Sequence, residues 1–254
     1  MSRPGTVAVL MYHATPVAVA PDAGYDPHYA VPLDRFSSQI DRILASGRRA
    51  VDVREAARKG GCAITFDDGD ATNLDASRVL AERGATADFF VNSSTLGTQG
   101  HLDRAALRRM VDAGMSIQSH GHTHRYFDEL SHDAIRDELR RSKSEIEDAT
   151  GRPVVLFAPP GGRLRDGVLQ IALELGYEGL CSSRAGVWHV VDGLSDVPRL
   201  AVLHGTAETR LDRWVRCDAR EIGRMRARAA VLSMGKRALG NGLYDRVRAA
   251  LVRG

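Results

Sequence analysis

The sequence predicts an α/β fold with a largely parallel sheet, on three observations. Short apolar runs alternate with amphipathic stretches of about ten residues that stop at glycines, the strand–turn–helix repeat of such folds. The helical stretches supply the crossovers that parallel strands require. Each dense polar cluster directly follows a predicted strand, at the end where α/β barrels collect their active sites.

The elements follow in order. VAVLMY at residues 7–12, bounded by Gly5 and Pro16, reads as a buried strand that delivers His13 at its end. Residues 16–32, rich in Pro, Asp, Gly and Tyr, read as loop. Asp34 can cap a helix over 35–46 with Phe36, Ile40 and Ile43 on one stripe. CAITF at 62–66 is the next strand and runs into Asp67, Asp68, Gly69 and Asp70. A helix over 75–83 stops at Gly84, and residues 85–92 form a third strand. Asp103 caps a helix over 103–112, with Leu107 and Val111 inward and Gly114 as its stop. MSIQS at 115–119 leads directly into His120, Gly121, His122, Thr123 and His124. Ser131 opens a longer helix over 131–149 that closes near Gly151. PVVLFA at 153–158 is a strand before Pro159, Pro160, Gly161 and Gly162; a helix over 165–175 and a strand over 177–183 complete the repeat. After residue 205 the strand pattern stops. Residues 207–254 read as helical, with breaks around Gly235 and from Gly240 to Gly242, and with Leu243, Val247 and Leu251 on one face.

A chain of 254 residues suffices for one large domain or for a domain plus an appendage. We divide it into a catalytic domain over 1–205 and a basic helical extension over 206–254. The net charge of +3 is uneven: residues 211–254 hold 11 Arg or Lys against 4 Asp or Glu, leaving −4 for the rest. That asymmetry suits either an ordinary solvated face or peripheral contact with an anionic membrane. Nucleic-acid binding is a poor fit, because most of the chain is net acidic and no recognition module is present. Cys62, Cys181 and Cys217 have neither paired spacing nor an even count, which argues against a disulfide scaffold. No export signal core is evident and no apolar run approaches 18 residues, so the expected location is cytoplasmic, with the membrane surface as the peripheral alternative.

Two clusters carry chemistry. Asp67 and Asp68 follow an apolar strand, where adjacent carboxylates are costly unless a cation or a proton separates their roles. Gly69 permits the sharp turn after them. His120 and His124 lie four apart, and a turn can bring both imidazoles to one ion. Two His and one Asp form a first-row metal set that leaves positions open for water and substrate. Asp68 is read as the ligand and Asp67 as the general base, an order that residue chemistry alone leaves reversible. Zinc fits best; cobalt, nickel, manganese and iron suit the same ligands.

These residues carry a resemblance. TFDDG at 65–69 and SHGHTH at 119–124 resemble the first two motifs of the polysaccharide deacetylases of the NodB-homology group, carbohydrate esterase family 4. LMYH at 10–13 and FVNSSTLG at 90–97 are similar to further family segments, and the likeness runs from Leu10 to Leu203. The resemblance implies a distorted (β/α)7 barrel, Asp67 as base, and Asp68, His120 and His124 as ligands. The third motif departs: Ala158 stands where the family has an Arg that orients and charge-balances the catalytic Asp, and Arg163 or Arg199 could reach back to replace it. Gly161 matches the position whose backbone N–H helps to build an oxyanion hole. His204, after an apolar run, matches the family's general acid, with His13 and His122 as alternative donors. Of the family's Asp–Trp motif only Trp188 and Asp192 remain as counterparts, which makes Trp188 an accessory candidate. The implied activity is hydrolysis of an N-acetyl group on a sugar, an oligosaccharide or a lipid-linked glycan. An O-acetyl esterase or a silent sugar-binding protein on the same scaffold are the rival readings.

Overall fold

β1 (Thr6–Tyr12) is the strand around which the sheet is assembled. The computed structural model describes residues 5–20 and 24–227. After β1 come α1 (Leu33–Ala45), β2 (Ala50–Val51), α2 (Val53–Lys59), β3 (Cys62–Phe66), α3 (Asn73–Glu82), β4 (Asp88–Val91) and α4 (Arg104–Asp112). The chain continues through β5 (Ser116–Ser119), α5 (His132–Thr150), β6 (Leu156–Phe157), α6 (Val168–Glu174), β7 (Gly179–Leu180), β8 (Trp188–His189), β9 (Leu200–Ala201) and α7 (Glu208–Val215).

The sheet runs β7-β6-β5-β4-β3-β1-β8, with β2 also paired to β3 and β9 to β1. Every pairing between these strands is parallel except that of β1 with β8. A bridge between Cys181 and Val197 carries the chain from β7 toward β9 beside β1, so the two edges of the curled sheet approach each other. The result is the distorted α/β barrel that the resemblance implies.

Alternation along the strands builds two apolar layers. Leu10, Tyr12, Ile64, Phe66, Phe89 and Phe157 face the helices. Val7, Val9, Ala63, Phe90, Leu156 and Ala158 pack inside the curl. The stripe of Phe36, Ile40 and Ile43 on α1 is wholly buried, and such burial is worth about 1.5–3 kcal/mol per side chain.

Helix limits follow the caps. Asp103 accepts from the Ala106 N–H and Ser131 from the Ala134 N–H, and Gly151 ends α5 in the left-handed conformation. α1 starts earlier than expected: Pro32 is its cap residue, and Asp34 lies in its first turn. On α4, Met110 is buried with Leu107, while Val111 is only partly covered. β2 and α2 have no counterpart in the sequence reading, although Asp52 caps α2 by accepting from the Glu55 N–H. β6 is cut short because the Val155 and Leu156 N–H groups donate to Gln118 Oε1.

α7, the first part of the proposed extension, is tied to α1 by ion pairs of Arg35 with Glu208 and of Arg42 with Asp212. Leu243, Val247 and Leu251 lie outside the described residues. Among the described residues, no helix is long and apolar enough to cross a membrane.

Candidate active site

β3 hands over two adjacent carboxylates that part immediately. The Asp67 N–H still donates to the Tyr12 carbonyl at 3.0 Å, so this residue continues the strand. Asp68 (φ 73°) and Gly69 (φ 70°) then turn the chain through left-handed backbone. A β-carbon at Gly69 would lie 3.1 Å from Val91, so glycine serves both the turn and the close approach.

Asp67 is buried and Asp68 half-exposed, with side-chain exposures of 5% and 42%. Arg199 clamps Asp67 with two parallel bonds, Nη1 to Oδ1 at 2.6 Å and Nη2 to Oδ2 at 2.8 Å. Arg199 is itself held by Nε donation to the Ser182 carbonyl and by a 3.3 Å bond from Nη1 to Thr65 Oγ1, beside the Phe90 ring. Burial alone would push the Asp67 carboxyl up, but the Arg199 guanidinium, with His120 and His13, holds it below the usual carboxylate range.

His120 leaves β5 with its N–H on the Val91 carbonyl. Its Nδ1 lies 2.8 Å from the Ala158 carbonyl, which can only accept, so Nδ1 carries a proton and Nε2 is the nitrogen turned toward Asp68, the one that would give its lone pair to a cation. That Nε2 is 3.2 Å from Asp68 Oδ1. His124, in left-handed backbone at φ 60°, brings its own Nε2 within 3.2 Å of the same oxygen. The three ligand atoms lie within 4.8 Å of one another. Two imidazole nitrogens and one carboxylate, half open to solvent, fit a divalent cation with free coordination positions. Burial pushes the Asp68 carboxyl up, but its bonds to His120 and His124 pull it well below the usual range. His120 shows the counterpart: burial disfavours its charge, and Asp67 and Asp68 nevertheless raise its pKa. His122 turns away, with Nδ1 2.8 Å from Ser93 Oγ and 3.1 Å from Glu145 Oε2.

The turn after β6 stands beside this set. Gly161 and Gly162 are both left-handed, at φ 61° and 66°. A β-carbon would meet Tyr126 at 2.8 Å from Gly161 and Ser183 at 2.5 Å from Gly162, so the paired glycines answer crowding as well as conformation. Ala158 contributes its carbonyl to His120 in place of a charged side chain. Of the two arginines considered for its missing charge, Arg199 reaches Asp67. Arg163 instead covers the Tyr126 ring at 4.2 Å and lies 3.5 Å from Glu129.

The β1–β9 rim carries two further imidazoles. His13 follows β1 with its ring 4.6 Å from that of Tyr29, and its Nδ1 is buried without a hydrogen-bond partner among the described residues. Burial lowers the His13 pKa, and Asp67 and Asp68 oppose that shift. His204 follows β9 and is exposed, with Nδ1 3.2 Å from the Ala30 carbonyl. Trp188 is not brought to this end, which corrects its accessory assignment. β8 runs antiparallel to β1 and pairs Trp188 with Val7, roughly 20 Å along the strand from His13 by strand rise. Its indole is buried in the inner layer and donates to the Gly193 carbonyl.

The sequence reading passed over one group behind the site. Glu138, Ser142 and Glu145 lie on the inner face of α5 and contact the turn that carries the histidines. Their spacing of four and three places polar residues on a stripe where an amphipathic helix normally carries apolar ones, and that was the available signal.

Known proteins resemble the chain in sequence and in shape. The polysaccharide deacetylase family model matches residues 54–180, half of the chain. The Bacillus subtilis (strain 168) protein YxkH is 24% identical over 213 residues, covering 80% of this chain and 74% of that one. The peptidoglycan-N-acetylglucosamine deacetylase of Bacillus cereus is 30% identical over 129 residues, or 50% of this chain and 56% of that enzyme. The Streptococcus pyogenes deacetylase PplD, solved with acetate, superposes with a TM-score of 0.76 at 24% identity, covering 84% of this chain and 99% of that one. A Bacillus cereus polysaccharide deacetylase gives 0.74 at 24% identity over 83% and 69%; at such identities the likeness establishes the fold. Model match and fold together make this chain a member of the polysaccharide deacetylase family.

Proposed function

We propose that this chain is a metal-dependent hydrolase that removes the N-acetyl group from an N-acetylated sugar or glycoconjugate. The observation that supports the reading most is the division between an open ligand set, Asp68, His120 and His124, and a separately clamped, ionised carboxylate next to it in the chain. A divalent cation, zinc by ligand type, would be held by those three side chains and would supply Lewis acidity that acidifies a water and polarises the acetyl carbonyl.

The remaining work falls to protein groups. Asp67 accepts the proton as the water oxygen attacks the acetyl carbon. Because Arg199 keeps Asp67 ionised, its basicity is modest, and the site depends on a water made acidic rather than on a strong base. The Gly161 N–H is the proposed donor to the oxyanion. As the C–N bond breaks, an imidazole on the β1–β9 rim delivers a proton to the departing amine, and acetate and a free amino sugar result. His204 is the first choice for that donor. His13 is the second, because the charges of Asp67 and Asp68 act on it directly.

The test is release of acetate and of free amine from N-acetylglucosamine polymers, oligomers, lipid-linked and nucleotide-linked sugars, with added divalent metal. Asp67→Asn is expected to abolish turnover while metal is retained, and Asp68→Ala to lose the metal. No release from any of these substrates rejects the proposal, and faster release from O-acetyl esters replaces it with an esterase. Loss of the acid from His204→Ala or from His13→Ala identifies the donor. The basic region at 211–254 is proposed to contact anionic lipid, which sedimentation of the whole chain with phosphatidylserine vesicles, against neutral phosphatidylcholine vesicles and against raised salt, would test.

A further inference from the structure

The turn from His120 to His124 is a poor candidate to hold itself. Gly121 is at φ 80° and His124 at φ 60°, and left-handed backbone at a non-glycine residue is unfavourable unless its surroundings fix it. The fixing comes from α5. Glu138 is buried, and its Oε2 accepts both the His122 N–H at 2.7 Å and the Thr123 N–H at 2.8 Å. Its Oε1 accepts from the Thr123 hydroxyl.

Two consecutive amides converging on one carboxylate oxygen define the backbone torsions between them, because only a narrow range of φ and ψ points neighbouring N–H groups the same way. The next residue is His124. Glycine at 121 answers the left-handed backbone there, since a β-carbon would only touch Glu138 Oε2, at 3.4 Å. One helical turn on, Ser142 Oγ accepts from Ser119 Oγ, which in turn accepts from the Gly121 N–H. A further turn on, Glu145 meets His122 Nδ1. The polar stripe of α5 thus contacts residues 119, 122 and 123 directly, and Gly121 through Ser119.

We infer that Glu138 is a positioning residue for the metal-ligating turn, setting the backbone of His124 before any cation arrives; the inference rests on the metal-binding reading above. A methionine at 138 keeps the length of the side chain but offers no carboxylate oxygen, so all three bonds are lost, whereas a glutamine can keep its oxygen on the two amides and donate from its N–H2 to the Thr123 hydroxyl. Thr123→Val removes only the hydroxyl bond.

The test is zinc affinity of the whole chain, measured by competition with a chromophoric chelator, alongside thermal unfolding of the metal-free proteins. Glu138→Ala and Glu138→Met are expected to bind zinc about 10-fold to 100-fold more weakly than the wild type, with Thr123→Val between. Ile146→Ala, a core truncation on the same helix, is expected to lower the unfolding temperature without weakening zinc binding. Glu138→Met binding zinc within about 2-fold of the wild type overturns the inference, well below the loss expected for such a supporting group. An equal loss in Ile146→Ala overturns it too, by making Glu138 merely structural. Absence of zinc binding by the wild type overturns the metal reading itself, and that result is separately visible. Glu138→Met, which keeps the buried volume, and Thr123→Val keep the test decisive where Glu138→Ala fails to fold.

Discussion

Asp67 and Asp88 sit at two levels inside the same barrel and meet opposite fates. Asp88 is opposite Thr65 in the β3–β4 register, two residues before Asp67, and both carboxylates are almost fully buried. Asp67 has a guanidinium on both oxygens and is held low. Asp88 has no guanidinium on it among the described residues: its Oδ2 accepts from the Val53 N–H, and the Ser116 side chain is its other hydrogen-bonding neighbour. Burial, with the charge of Asp52 nearby, pushes its pKa up to about 7. Equal burial therefore gives a carboxylate that is ionised throughout the neutral range at one level and a carboxyl that is part-protonated at the other. The partner decides the sign, and only the upper level was given one.

Removing the partner should break the contrast most strongly. Arg199→Met leaves Asp67 buried and unpaired, a loss of about 3–5 kcal/mol by denaturant unfolding. A depressed carboxylate pKa contributes stability above the unfolded value of about 3.9 that is lost as pH falls through the folded one, so this deficit should be largest near neutrality and shrink in acid. Deacetylation should fall on the order of 100-fold, with the acid limb of the pH–rate profile displaced upward. Arg199→Lys keeps the charge but not the fork, and should give a smaller loss in both assays.

At the lower level the sign reverses. Asp88→Asn should stabilise the protein by about 1–3 kcal/mol at pH 8, because the penalty for ionising Asp88 builds up between its unfolded pKa of about 3.9 and its folded value. The gain should vanish below about pH 4, where both states are protonated in the wild type. Urea melts at the two pH values check it, and a pH-independent difference would show that Asp88 is not the titrating group. The smallest effect is expected at Thr65. Thr65 Oγ1 donates to the Leu10 carbonyl at 2.9 Å and accepts from Arg199, so Thr65→Val should cost about 1 kcal/mol and move the acid limb only slightly.

Much of this was legible in the chain, for local reasons. α4 and α5 begin at Asp103 and Ser131 because those side chains satisfy N–H groups within three residues, information carried in a short window. Asp68, His120 and His124 could be grouped because each follows a predicted strand and parallel strands place such ends together. What was missed depends on distant or side-chain pairing. β2 is two residues long, and β6 lost ladder positions to the Gln118 side chain, which no periodicity reveals. Arg199 lies 132 residues from Asp67, so sequence could name it only as one of two arginines. Trp188 was misplaced because strand direction, not spacing, put it at the far end of β1. Glu138 was overlooked because a helix read for its apolar stripe hides a polar one.

β1 also has a consequence for synthesis. One flank is covered by β3, made about fifty residues later, but among the described residues the other is covered by β8 and β9 at residues 188–189 and 200–201. At ribosomal speeds of about 5–20 residues per second, that flank of an apolar seven-residue strand waits on the order of 10 s for its partners. During that interval it is an open edge of the kind that templates association between nascent chains. Crowded expression at high temperature should therefore aggregate this protein through its first strand, before the catalytic groups that β1 helps to assemble have met.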